Sequence, residues 1–127
     1  MDRFDHYFTE DEAKALLKEI HPTVEELMAT RDRIVELRPE LVASLQKAIG
    51  NGGSQATGEL LGLAQRVTYL VEQIQEAGVL VKDLDRGLLD FPSEREGRIV
   101  FLCWQYGEPE LAFWHDIDAG FAGRQPL

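Results

Sequence analysis

The sequence holds a single cysteine, Cys103, in 127 residues. An intrachain disulfide is therefore excluded, and a reducing compartment fits best. No apolar run approaches the roughly 20 residues that a membrane-spanning helix needs. Bases are scarce: 13 Lys and Arg stand against 23 Asp and Glu, for a net charge of −10. The deficit is spread along the chain, and such a surface repels phosphate. That argues against nucleic acid and against anionic membranes as partners. Histidine is scarcer still, with only His6, His21 and His115. No pair of them has a metal-helix spacing. The opening Met1-Asp2-Arg3-Phe4-Asp5-His6 is polar and acidic, unlike a signal peptide. A cytoplasmic location is expected. Hydrophobic residues make up 44% of the chain, enough for a core without disulfides. Residues 1–127 read as one domain.

Residues 1–78 read as a helical hairpin. Thr9-Glu10-Asp11-Glu12 fits a capping box, with three acids in the first turn at the positive end of the dipole. Ala13, Leu16, Leu17 and Ile20 begin an apolar face. Pro22 falls inside the pattern, and Pro39 falls inside its continuation through Val24, Leu27, Met28, Ile34, Leu37, Leu41, Leu45, Ala48 and Ile49. A proline lacks the amide donor and crowds the preceding turn, so a kink or break is expected at each. Arg31 interrupts the seam and is expected to snorkel or to pair with an acid across it. Gly50-Asn51-Gly52-Gly53 should break the helix. Ser54 or Thr57 would cap a second one, striped by Leu60, Leu61, Ala64, Val67, Leu70, Val71, Ile74 and Ala77. Gly78 stands where a left-handed C-terminal cap belongs. A short loop between striped helices implies an antiparallel pair.

Residues 79–127 change character. Val79 to Lys82 is β-prone, and Arg86-Gly87 marks a turn. Leu88 to Phe91 is a second extended stretch, stopped by Pro92, and Ser93 to Gly97 is a charged loop. Arg98 to Trp104 is the clearest strand, and Leu111 to His115 returns after the Gly107-Glu108-Pro109-Glu110 turn. The whole is therefore α+β: a long antiparallel helical hairpin, then a small antiparallel β-meander of three to four strands. Ile99, Phe101 and Cys103 share one strand face, while Val100, Leu102 and Trp104 share the other. Both faces are apolar, so one should pack on the hairpin and the other on a partner. The tail from Asp118 is glycine-rich and irregular, with Phe121 as an anchor.

The combination of Tyr7-Phe8-Thr9, Glu12-Ala13, Val81 to Gly87, Asp90-Phe91-Pro92, Leu102-Cys103-Trp104, Trp114-His115 and Gly120 to Arg124 resembles a small bacterial family, domain of unknown function 2203. The resemblance covers nearly the whole chain and implies a bacterial, cytoplasmic protein. The family brings no agreed activity. Its members often carry a proline soon after the Ala-Leu-Leu stretch, whereas here Lys18 follows and the proline waits until Pro22.

Plausible chemistry gathers in the β-rich part. Asp83 and Asp85 fall on one face of an extended backbone. Asp90, Glu108, His115 and Asp118 complete a set of carboxylates and one imidazole that could bind zinc, manganese or iron. A metal-bound water with a carboxylate base would extend this to hydrolysis. Against it, aspartates beside glycine and proline cap turns, and Asp90 could pair with Arg98 or Arg124. His115 has no nucleophile beside it in any recognised motif. Cys103 alternates with Ile99 and Phe101 and reads as a small buried hydrophobe. Trp104, Phe113 and Trp114 read as core. No cofactor is called for beyond the possible divalent ion.

The sequence thus favours a homodimeric interaction domain with no nucleic-acid or membrane partner; a metal-binding protein is the alternative. The first reading expects a dimer in sedimentation at tens of micromolar. A strictly monomeric species would contradict it.

Overall fold

A computed structural model describes residues 3–51 and 55–127, with side chains outside 40–42 and 44–56. Helix α1 spans Glu10–Asn51 and helix α2 spans Gln55–Glu76. Five strands follow: β1 Leu80–Asp83, β2 Leu88–Arg95, β3 Arg98–Gln105, β4 Phe113–Asp116 and β5 Gln125–Pro126. They form one antiparallel sheet in sequence order. The expected α+β hairpin and meander is the architecture found, with a fifth strand added. Among the described residues, no helix is long and apolar enough to cross a membrane.

The capping box closes as its spacing requires. The Glu12 amide donates to Thr9 Oγ1 at 3.1 Å, and the Thr9 amide donates to Glu12 Oε1 at 2.9 Å. Neither proline splits α1. Pro22 and Pro39 are exposed, so water can serve the carbonyl that each leaves unpaired. Around Pro22 the helix is held by buried Ile20, Val24 and Leu27. Packing has overridden a local penalty. The helix also continues through Gly50 and Asn51, where a breaker was expected. Gly52, Gly53 and the Ser54 cap lie outside the described residues, as do the side chains of Leu41, Leu45, Ala48 and Ile49.

Two ion pairs bridge the hairpin. Arg33 Nε donates to Glu59 Oε1 at 2.8 Å, and Arg66 Nη2 donates to Glu26 Oε1 at 2.8 Å. Both pairs are exposed and contribute little stability individually. On α2 the buried positions are Leu70 and Ile74, flanked by partly buried Leu60, Leu63, Val67, Val71 and Ala77. Leu61 and Ala64 were expected in this stripe but face solvent. The helix ends in a Schellman motif: the Gly78 amide donates to the Gln75 carbonyl at 2.9 Å, and the Val79 amide to the Ile74 carbonyl at 3.4 Å.

The core lies between the hairpin and one sheet face. Ala13, Leu17, Val24, Leu27, Leu70 and Ile74 meet Leu89, Phe91, Val100, Leu102, Trp104 and Trp114. Strand β2 does not stop at Pro92; it runs on to Arg95. Strand β1 pairs only with Leu88 to Asp90, so Pro92 sits beyond its end on a free edge. There no amide is missed. The Pro92 carbonyl accepts instead from the Phe8 amide at 2.7 Å, which ties the N-terminal segment to the sheet. Strands β2 and β3 meet in a tight turn at Glu96 (φ 53°) and Gly97 (φ 79°). The charged loop expected at Ser93 to Gly97 shrinks to those two residues.

Gly87 occupies a turn with φ 64° against β3. A Cβ there would lie 2.6 Å from Tyr106 Cβ and 2.9 Å from Met28 Sδ. Gly97 has the same hand of backbone but open space around it. Gly87→Ala should therefore lower the unfolding free energy by about 2 kcal/mol, and by more than Gly97→Ala does. Urea denaturation of the two variants checks this. Equal losses would show that backbone conformation alone, and not packing, decides both.

Candidate metal centre

The second sheet face is not an uncovered apolar surface. Alternation places Leu88, Asp90 and Pro92 of β2 beside Phe101 and Cys103 of β3 and Phe113 and His115 of β4. Asp90 and Cys103 are direct cross-strand partners, and His115 faces Phe101, one diagonal step from Cys103. The carboxylate, thiol and imidazole bring one ligand atom each within 4.8 Å of the others. Asp90 and His115 are each 2% exposed and Cys103 is fully buried.

The chain covers this face itself. The Phe4 ring lies 5.4 Å from the Phe101 ring, and Lys82 Nζ sits 4.6 Å over the same ring. From the tail, the Arg124 guanidinium lies 4.0 Å over Phe113 and 4.6 Å over Phe121. Phe121 thus anchors the tail, as expected, and β5 pairs with Phe113 and Trp114. The need for a second chain over this face, inferred from its apolar alternation, falls away.

Hydrogen bonds orient the imidazole. His115 Nδ1 lies 2.8 Å from the Asp116 carbonyl, and Nε2 lies 3.0 and 3.1 Å from the two Asp90 oxygens. The Asp116 carbonyl can only accept, so Nδ1–H is the donor of that contact, and Nε2 is turned to the carboxylate. The Cys103 thiol lies within 4.8 Å of the ligand atoms of both. Burial pushes that thiol up to about 12, with the Asp90 charge adding to the rise and Arg124 opposing it. Cys103 is thus an unreactive thiol, yet it touches charged groups that a plain hydrophobe would avoid.

The other sequence candidates lie apart from this cluster. Asp83, at the end of β1, accepts from the Arg86 amide at 3.3 Å and pairs with the Arg86 side chain at 3.4 Å. Asp85 is exposed in the following turn, where its carbonyl accepts from Arg31 Nη1. Arg31 also pairs with Asp32 at 2.6 Å, its neighbour on the same helix and not an acid across the seam. Glu108 accepts from the Gln105 amide at 2.6 Å and from Arg124 at 2.7 Å. Asp118 is exposed in the turn after β4. Arg98 pairs with Asp116 at 2.8 Å. Asp90 therefore pairs with neither arginine considered for it. The sequence reading left Cys103 out because alternation with Ile99 and Phe101 looked uniformly apolar. The signal that could have included it was Asp90, which alternates with Leu88 and Pro92 on the adjoining strand.

Over residues 6–127 the chain matches the family described as Uncharacterized conserved protein (DUF2203). It belongs to that family. No curated protein and no solved structure matches the chain. Family membership thus carries no activity to this domain, and the chemistry must be argued from the trio on the outer sheet face.

Because the folded thiol holds its proton up to about 12 while a free thiol loses it near 9.0, the unfolded chain binds fewer protons in between. Stability from this group is full below 9.0 and is lost as pH rises through the folded value. The Tm gap between the wild type and Cys103→Ala should narrow across that range. The native thiol should also resist iodoacetamide until the chain is unfolded. A pH-independent gap with a reactive native thiol would contradict this.

Proposed function

We propose that this domain binds one borderline divalent cation, zinc or an ion like it, through Asp90 Oδ, Cys103 Sγ and His115 Nε2. The observation that carries the reading is the bond from His115 Nδ1–H to the Asp116 carbonyl. A metal-bound histidine commonly commits its other ring nitrogen to a carbonyl in this way, which fixes the ring and leaves Nε2 for the ion. The three donors already lie within 4.8 Å of one another. Sulfur, nitrogen and oxygen together suit zinc and not magnesium or calcium, which take oxygen alone. Charge supports the exchange. A dication replaces two protons, one on the thiol and one shared by Nε2 and Asp90, so the buried net charge does not change.

Burial bears on what the ion would do. A hydrolase must admit substrate to the metal, whereas the three ligands here are at most 2% exposed. Stabilising or sensing metal fits that seclusion better than hydrolysis does. Self-association keeps one support: Val35, Leu61 and Tyr69 on the hairpin are 45%, 62% and 48% exposed.

Protein purified without chelator should carry close to one equivalent of metal, and cobalt should restore one equivalent after stripping. The cobalt form should show thiolate-to-metal absorption, which Cys103→Ser removes and Asp83→Asn or Asp118→Asn leaves in place. Calorimetry in buffers of differing ionisation enthalpy should report about two protons released per ion. Absence of any bound metal, or cobalt bound without a thiolate band, would overturn the assignment.

A further inference from the structure

Three ligands leave a tetrahedral ion one position short. Next to the trio stands Arg124, whose Nε is the one buried side-chain nitrogen or oxygen without a hydrogen-bond partner among the described residues. A buried unpaired donor is costly, and a charged one more so, which makes it a mark of something that binds there. The rest of the guanidinium is committed. Nη2 donates to both Glu108 oxygens at 2.7 and 2.8 Å, and the plane is held between the rings of Phe113 and Phe121. Phe113 is the cross-strand partner of Cys103, so the guanidinium over its ring lies on the sheet face of the thiol. The free N–H is therefore fixed in orientation beside the proposed centre.

The geometry points to a small oxyanion, of the carboxylate class, as the fourth ligand, one oxygen on the metal and one accepting from Arg124 Nε–H. This rests on the metal reading above. An acceptor suits the place: Glu108 takes Nη2 alone, so Nε keeps an unmet donor.

Cobalt-loaded protein titrated with sodium acetate tests this. Acetate should shift the cobalt d–d bands saturably, while the thiolate band persists. Arg124→Lys keeps the positive charge and removes the Nε–H. It should weaken acetate about tenfold or more, the scale of one lost charge-assisted hydrogen bond, with the thiolate band showing that metal is still held. Arg124→Met, judged by the same two bands, guards against a local rearrangement around lysine. If cobalt binds with its thiolate band but acetate shifts nothing, or shifts both variants as it shifts the wild type, the oxyanion proposal fails and the metal centre stands. If cobalt does not bind through Cys103 at all, both fail.

Discussion

The contact between Asp90 and His115 constrains the outer half of this molecule. An ionisable pair this deeply buried must have every polar atom answered, or it costs several kcal/mol. The sheet answers it by geometry. Strand β3 lies between the two residues and supplies the thiol, and the Asp116 carbonyl takes the remaining imidazole N–H. Phe4, Lys82 and the tail from Phe121 to Arg124 lie over this face. The N-terminal segment is held there by the Phe8 amide on Pro92, a bond made possible where β1 ends.

The two faces of the sheet thereby divide their roles. The inner face carries Leu89, Phe91, Val100, Leu102, Trp104 and Trp114 against the hairpin and supplies hydrophobic stabilisation. The outer face carries a polar trio under an aromatic and cationic cover. Because strand periodicity is two, the residues of both faces interleave along β2, β3 and β4. A one-residue slip in register would bury the trio against the hairpin and expose the core. The tight turn at Glu96 and Gly97 guards against that slip.

Much of the fold was legible in the sequence because it rests on local rules. The Thr9 to Glu12 box, the Gly78 cap, the antiparallel hairpin and the meander follow from short-range chemistry. What failed were places where tertiary context overrode a local penalty. Of the kink or break expected at Pro22 and Pro39, the break did not occur, since buried apolar neighbours hold the helix on both sides of Pro22. Pro92 did not end β2, since it occupies an edge. The fifth strand escaped notice because it is two residues long and contains Pro126. Among the candidate ligands, Asp90 and His115 converge, whereas Asp83, Asp85, Glu108 and Asp118 serve turns, an arginine or solvent. Residue type and nearness in sequence could not distinguish them; strand register does. Cys103 was hidden by its own burial, which looks the same for a ligand and for a hydrophobe.

The account turns on one exchange: two protons within the Asp90–Cys103–His115 triangle for one dication. Its most direct measurement is the zinc K-edge absorption fine structure of the zinc-loaded protein. The account predicts a single sulfur at about 2.3 Å with nitrogen and oxygen neighbours at about 2.0–2.1 Å. A shell of nitrogen and oxygen alone, with the Cys103 thiol still protonated, would place the ion elsewhere and contradict it.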